Sequence, residues 1–129
     1  MSYKHILVAV DLTQSSQLVI DKAISLAKDA NSKLSFAYID VDKVIIEPKA
    51  EQGFQHALQT LAEKSDYPIS DTFVAVGDLH MKLSGIVKET NVDLVVCGHR
   101  HKVASRLFSS VPKVANAVEA DLLVVYLEG

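Results

Sequence analysis

The sequence predicts an α/β fold, a five-stranded parallel sheet with helices on both faces, and three observations carry that prediction. Short apolar runs alternate with stretches whose apolar residues recur at spacings of three and four. The alternation continues along the whole chain, and the connections between runs are short and marked by Gly, Asn, Asp and Pro. A chain of 129 residues is long enough for one core and too short for two, so residues 1–129 are expected to form one domain.

Ile6, Leu7, Val8, Ala9 and Val10 form an unbroken apolar run that stops at Asp11, the pattern of a strand buried on both faces. Thr13, Ser15 and Ser16 offer N-cap hydroxyls, and Leu18, Val19, Ala23, Ile24, Leu26 and Ala27 then mark a helix up to Asn31. Leu34, Phe36, Tyr38, Ile39 and Val41 make a second strand, and residues 42–53, with Pro48 and Gly53, read as a connection. A second helix begins with Phe54, Ala57, Leu58, Leu61 and Ala62 and runs to about Ser65, where Tyr67-Pro68 breaks the pattern. Residues 72–76 give a third strand closed by Gly77-Asp78, and Leu79, Leu83, Ile86 and Val87 a third helix up to Asn91. Residues 92–97 read as the fourth strand, closed by Gly98, and residues 122–127 as the fifth. Between them lies a last helix; with Ser110 as N-cap it starts at about Val111 and places Pro112 in the first turn, where its missing N–H costs nothing.

Composition excludes several functions. The net charge is -3 with scattered basic residues, so neither a nucleic-acid backbone nor an anionic membrane is an expected partner. The longest apolar runs fall far short of the roughly 20 residues of a membrane helix. The first apolar run stops at Asp11, too early for a secretory signal, and Cys97 is the sole cysteine. Both point to the cytoplasm. A thiol closing an apolar run is expected to be buried packing rather than a nucleophile.

In a doubly wound sheet, ligands sit outside the carboxyl ends of the strands, near the point where strand order reverses. That rule selects Asp11 and Thr13, Val41 and Asp42, Gly77 and Asp78, and residues 98–102. Three of these stretches carry a specific resemblance. YKHILVAVDLT at 3–13, VGDL at 76–79 and DLVVCGHR at 93–100 together resemble the universal stress protein family, in particular its A-type branch. The resemblance implies a small Rossmann-like cytoplasmic domain with strand order 3-2-1-4-5, usually a homodimer, made when growth stops or conditions become harsh. It implies no reaction.

Family members that bind ATP carry, after the fourth strand, a glycine, two residues, a second glycine, nine residues, and a third glycine followed by Ser or Thr. Glycine lets backbone N–H groups approach phosphate, and a helix N-terminus favours the anion. Counting from Gly98, the second and third glycines fall at positions occupied by His101 and Val111, and Ser109-Ser110 arrives two residues early. Asp11 matches the family's adenosine-side aspartate and Val41 the position whose backbone faces adenine. The degenerate nucleotide site is therefore Asp11, Val41, Gly98, Ser109 and Ser110, and no ATP or other cofactor is expected to bind tightly. An aspartate after a buried strand also serves as a turn residue.

Other constellations weigh less. Cys97, His99 and His101 alternate, but tetrahedral zinc needs a fourth ligand and no partner cluster is near in sequence, so no metal is expected. His99, Arg100, His101 and Lys102 form either a solvated loop or a small anion-binding rim for a phosphate, sulfate or acidic protein partner. Ser15, His5 and Asp11 lack the glycines of a nucleophile elbow, and no catalytic residue is assigned. A phosphorelay receiver would need an acidic pair after the first strand and a lysine after the fifth; Asp11 is followed by Leu12, and only Glu128-Gly129 follows the fifth. An electron carrier of the flavodoxin kind would need a phosphate loop after the first strand, where DLTQSSQL has no glycine. The last strand, LLVVYL, lies at an open edge under the order the resemblance implies, and Leu123, Val124, Val125 and Tyr126 are the expected core of a homodimer contact. The expectation is a non-enzymatic regulatory or protective dimer, with an ATP-dependent switch of weak hydrolytic or autophosphorylating activity as the alternative.

Overall fold

A computed structural model of the chain describes residues 3–40, 47–100 and 111–127. Strands and helices alternate as β1 (His5–Val10), α1 (Ser16–Ala30), β2 (Lys33–Asp40), α2 (Pro48–Lys64), β3 (Asp71–Val76), α3 (Leu79–Thr90), β4 (Leu94–Arg100), α4 (Val111–Ala117) and β5 (Asp121–Leu127). All strand pairs are parallel, in the order β3-β2-β1-β4-β5. The predicted class and the order implied by the resemblance are both found.

The unbroken apolar run of β1 has the expected cause: all six of its residues are buried. Ile6, Val8 and Val10 face one core with Val19, Ile20 and Ala23 of α1 and Leu58 of α2. Leu7 and Ala9 face the other with Leu83 and Val87 of α3 and Val114 of α4. Because successive strand side chains point to opposite faces, a strand at the centre of such a sheet is apolar along its length, save where a polar side chain such as His5 finds hydrogen-bond partners. The two cores thus lie on opposite faces of one sheet.

Helix ends follow local chemistry. Asn31 and Asn91 close α1 and α3 in the left-handed conformation (φ 54° and 56°), their N–H groups returning to the carbonyls of Ala27 and Val87. Ser15 holds the N-cap of α1 without a side-chain capping bond.

Two expectations are corrected. Residues 48–53 are helical rather than a connection: Pro48 opens α2, where a donor would have no partner, and Gly53 lies on its exposed side. The inward face of α2 holds the helix in place, with Leu58 fully buried and Phe54 set against Tyr38 at a ring separation of 4.9 Å. The fourth strand is not closed by Gly98 but continues to Arg100, with Gly98, His99 and Arg100 opposite Val125, Tyr126 and Leu127. The start of α4 at Val111 is as expected.

Candidate functional site at the carboxyl end of the sheet

The strand order reverses between β1 and β4, and there the sheet opens. Pairing of β1 with β2 continues through Val10 and Tyr38, and pairing of β4 with β5 through Arg100 and Leu127. Pairing of β1 with β4 ends at Val8 and Val96. The carboxyl ends of the two central strands therefore part at the point where the topology rule anticipates a crevice.

Asp11 stands at the first rim of that crevice and organises the β1–α1 turn. Its Oδ1 accepts from the Thr13 N–H at 3.0 Å, the Thr13 hydroxyl at 2.6 Å and the Ser16 hydroxyl at 2.7 Å. The Asp11 N–H in turn donates to Ser16 Oγ at 3.0 Å. Three donors on one oxygen hold Leu12 at φ 61°, a left-handed conformation that a branched side chain seldom adopts. Leu12 in exchange packs against the α1-side core. The Thr13 and Ser16 hydroxyls that the sequence suggested for an N-cap are directed at this carboxylate.

Gly98 stands at the other rim, inside β4. A Cβ built on it would lie 2.7 Å from Cδ1 of Leu127 and 3.1 Å from Cγ2 of Val19, so any side chain at residue 98 would force the side chains of β5 and α1 that close over it to shift. This packing role accounts for the glycine without reference to phosphate. His99 and Arg100 lie on the same strand, not in a loop. Val41, His101, Lys102, Ser109 and Ser110 fall outside the described residues. At the third strand's end, Gly77 adopts φ 122° and donates its N–H to the Asp40 carbonyl at 3.1 Å, while Asp78 begins α3 from an extended conformation.

Cys97 is buried in the α3-side core, and desolvation pushes its thiol up to about 11. It is packing, as its sequence setting suggested. Ser15, His5 and Asp11 do not meet: His5 begins β1 and Asp11 follows its last residue. The His5 ring is buried instead at the amino end of the sheet, with Nδ1 3.0 Å from the Thr90 carbonyl and Nε2 2.7 Å from Ser35 Oγ. Beside it the Asp93 carboxylate accepts the N–H groups of Lys4 at 2.9 Å and of His5 at 3.0 Å. Sequence reasoning missed this network; its signal was a histidine opening an otherwise apolar strand.

On β5, Leu123 and Val125 pack partly against the α1-side core, and Leu122 against the other. Val124 and Tyr126 stay 39% and 62% exposed, so of the four expected contact residues these two present the apolar surface.

Known proteins share this architecture. Over 139 aligned positions the chain is 36% identical to universal stress protein A of Salmonella typhimurium, covering 98% of this chain and 96% of that one. The solved structure of the universal stress protein UspA from Lactobacillus plantarum superposes with a TM-score of 0.77 at 17% identity, covering 97% of this chain and 99% of that one. A universal stress protein solved in complex with cAMP superposes with a TM-score of 0.74 at 23% identity, over 97% of this chain and 98% of that one. The family model described as the universal stress protein family matches residues 2–126. With its three motifs seated on the matching strand ends of a 3-2-1-4-5 sheet, this chain belongs to the universal stress protein family.

Proposed function

We propose that this member of the family acts in the stress response as a non-enzymatic regulatory or protective homodimer in the cytoplasm, without tight ATP binding. The observation that carries the reading is Gly98. Its lack of a side chain is used by Leu127 and Val19, and the glycines that would complete a phosphate loop are His101 and Val111. Asp11 supports the same reading, because one oxygen of its carboxylate is already held by Thr13 and Ser16. The homodimer reading rests on β5, an outer strand without Lys, Arg or Pro that exposes Val124 and Tyr126. No helix among the described residues is long and apolar enough to cross a membrane.

The second reading is an ATP-dependent switch at Asp11, Val41, Gly98, Ser109 and Ser110. The parting of β1 from β4 favours it, as does the cAMP carried by a relative of the same fold. Titration calorimetry with Mg-ATP and with cAMP, together with mass analysis of freshly purified protein for retained nucleotide, separates the two. No saturable heat at millimolar nucleotide and no retained nucleotide are expected; stoichiometric micromolar binding would establish the switch.

A further inference from the structure

β3 is the second outer strand of the sheet, and its setting differs from that of β5. It pairs with β2 in unbroken register from Asp71 to Val76, with no bulge to twist it away from a partner. Natural sheets guard such edges with lysine, proline or bulges, because the outward row of N–H and C=O groups templates another strand. Residues 72–76 read TFVAV and carry none of these guards.

The edge also lies in a groove. A depression of about 380 Å³ follows residues 72–75, with Glu51 and Gln55 of α2 on one side and Ile86 of α3 on the other. Val74 packs toward the α1-side core, and Phe73 and Ala75 toward the opposite one. An incoming strand would therefore set alternate side chains toward Ile86 on one face and toward Glu51 and Gln55 on the other. Among the described residues neither the Glu51 carboxylate nor the Gln55 amide makes a side-chain hydrogen bond or ion pair.

We infer that the β3 edge is a docking groove for an extended segment of another protein, one that adds a strand beside Thr72 to Ala75 and places a lysine or arginine against Glu51. Charge selects this occupant over a second copy of the chain. The two outer strands read DTFVAV and DLLVVYL, each with an aspartate and no cation, so neither could answer the Glu51 carboxylate. Two β3 edges brought together about a twofold axis would moreover double the acidic charge.

The test is an amide-shift titration of the full-length ¹⁵N-labelled protein with the capped peptide Thr-Val-Lys-Val-Thr-Val. Its controls are the same peptide with Glu for Lys, and one N-methylated at alternate residues so that it cannot form a ladder. Saturable shifts centred on residues 71–76 are expected for the lysine peptide, with binding about fivefold weaker for the glutamate peptide. The N-methylated peptide should not bind. Glu51 is exposed, so Glu51→Lys leaves the fold unchanged and is expected to invert the preference. Absence of shifts on β3, or a preference that Glu51→Lys does not move, overturns the inference. So do shifts of the β3 amides on concentrating the protein alone, which would make a second copy the occupant.

Discussion

Leu127 lies over Gly98 so closely that a Cβ at residue 98 would stand 2.7 Å from its Cδ1. Leu127 is 2% exposed and closes the α1-side core from the last strand, so it has little room to withdraw. Gly98→Ala should therefore overpack the site and cost about 1–3 kcal/mol in urea unfolding. Leu127→Ala vacates the space, and in that background the alanine at 98 should cost about 1 kcal/mol less. Additive effects in the double mutant would remove the packing account of this glycine and return it to the phosphate-loop reading.

The Asp11 turn gives a second prediction. Asp11→Ala removes the acceptor for three donors and releases the clamp on Leu12, for an expected loss of about 1–2 kcal/mol. Asp11→Asn retains one carbonyl oxygen of similar geometry and should lose less than half as much. Equal losses in the two variants would mean that charge, not the hydrogen bonds to Oδ1, sustains the turn.

At the opposite end of the sheet, His5 links β1 to Thr90 and to Ser35 of β2. A carbonyl can only accept, so Nδ1 carries a proton, and in the neutral ring Nε2 accepts from the Ser35 hydroxyl. Ser35→Ala leaves a buried imidazole nitrogen unsatisfied and should cost about 1–2 kcal/mol. His5→Ala adds a cavity and should cost about 3 kcal/mol. In the His5→Ala background the Ser35→Ala cost should nearly vanish, which denaturation of the double mutant would reveal.

Cys97 makes stability depend on alkaline pH. Burial raises its thiol from 9.0 to about 11. The unfolded chain releases this proton first, so the contribution is fully present below pH 9 and declines as pH rises toward 11, with a limiting slope of about 1.4 kcal/mol per unit. Cys97→Ala should remove that contribution, leaving that of Tyr3, whose phenol is raised chiefly by its hydrogen bond to Asp121. Native protein should also resist thiol reagents at pH 8 and react fully in urea. A slope unchanged in Cys97→Ala would show that the thiol is not its source.

How far the sequence carries depends on the physical scale of each question. Continuous apolar runs placed the strands, because β1 and β4 are covered on both faces and admit a polar side chain only where, as at His5, its hydrogen bonds are satisfied. Asn31 and Asn91 ended helices where left-handed caps occur. Pro48 and Gly53 misled, since the same residues break a helix in its interior and are tolerated at its first position and on its exposed side. Gly98 was legible as a special position but not as a packing one, because the residues that require it, Val19 and Leu127, are distant in sequence. Asp11 shows the same limit, since its two readings as adenosine contact and turn residue share one sequence pattern.

The edge of β5 supplies the last prediction. Leu123 and Val125 are partly engaged with the protein's own core, so the association surface proposed for β5 reduces to Val124 and Tyr126 on the other face, together with the outward main-chain groups of the strand. Replacing both exposed residues by lysine puts like charges beside one another across a twofold axis, where each substitution is felt twice. Val124→Lys with Tyr126→Lys should raise the dimer dissociation constant by about a hundredfold in sedimentation velocity. Circular dichroism should remain unchanged, because neither side chain is buried in the protomer. A wild-type chain that sediments as a monomer at every concentration, or a double variant that stays dimeric, would place the association elsewhere or nowhere. An unaltered dimer whose peptide preference inverts on Glu51→Lys would, in contrast, show that the two edges of the sheet have separate occupants.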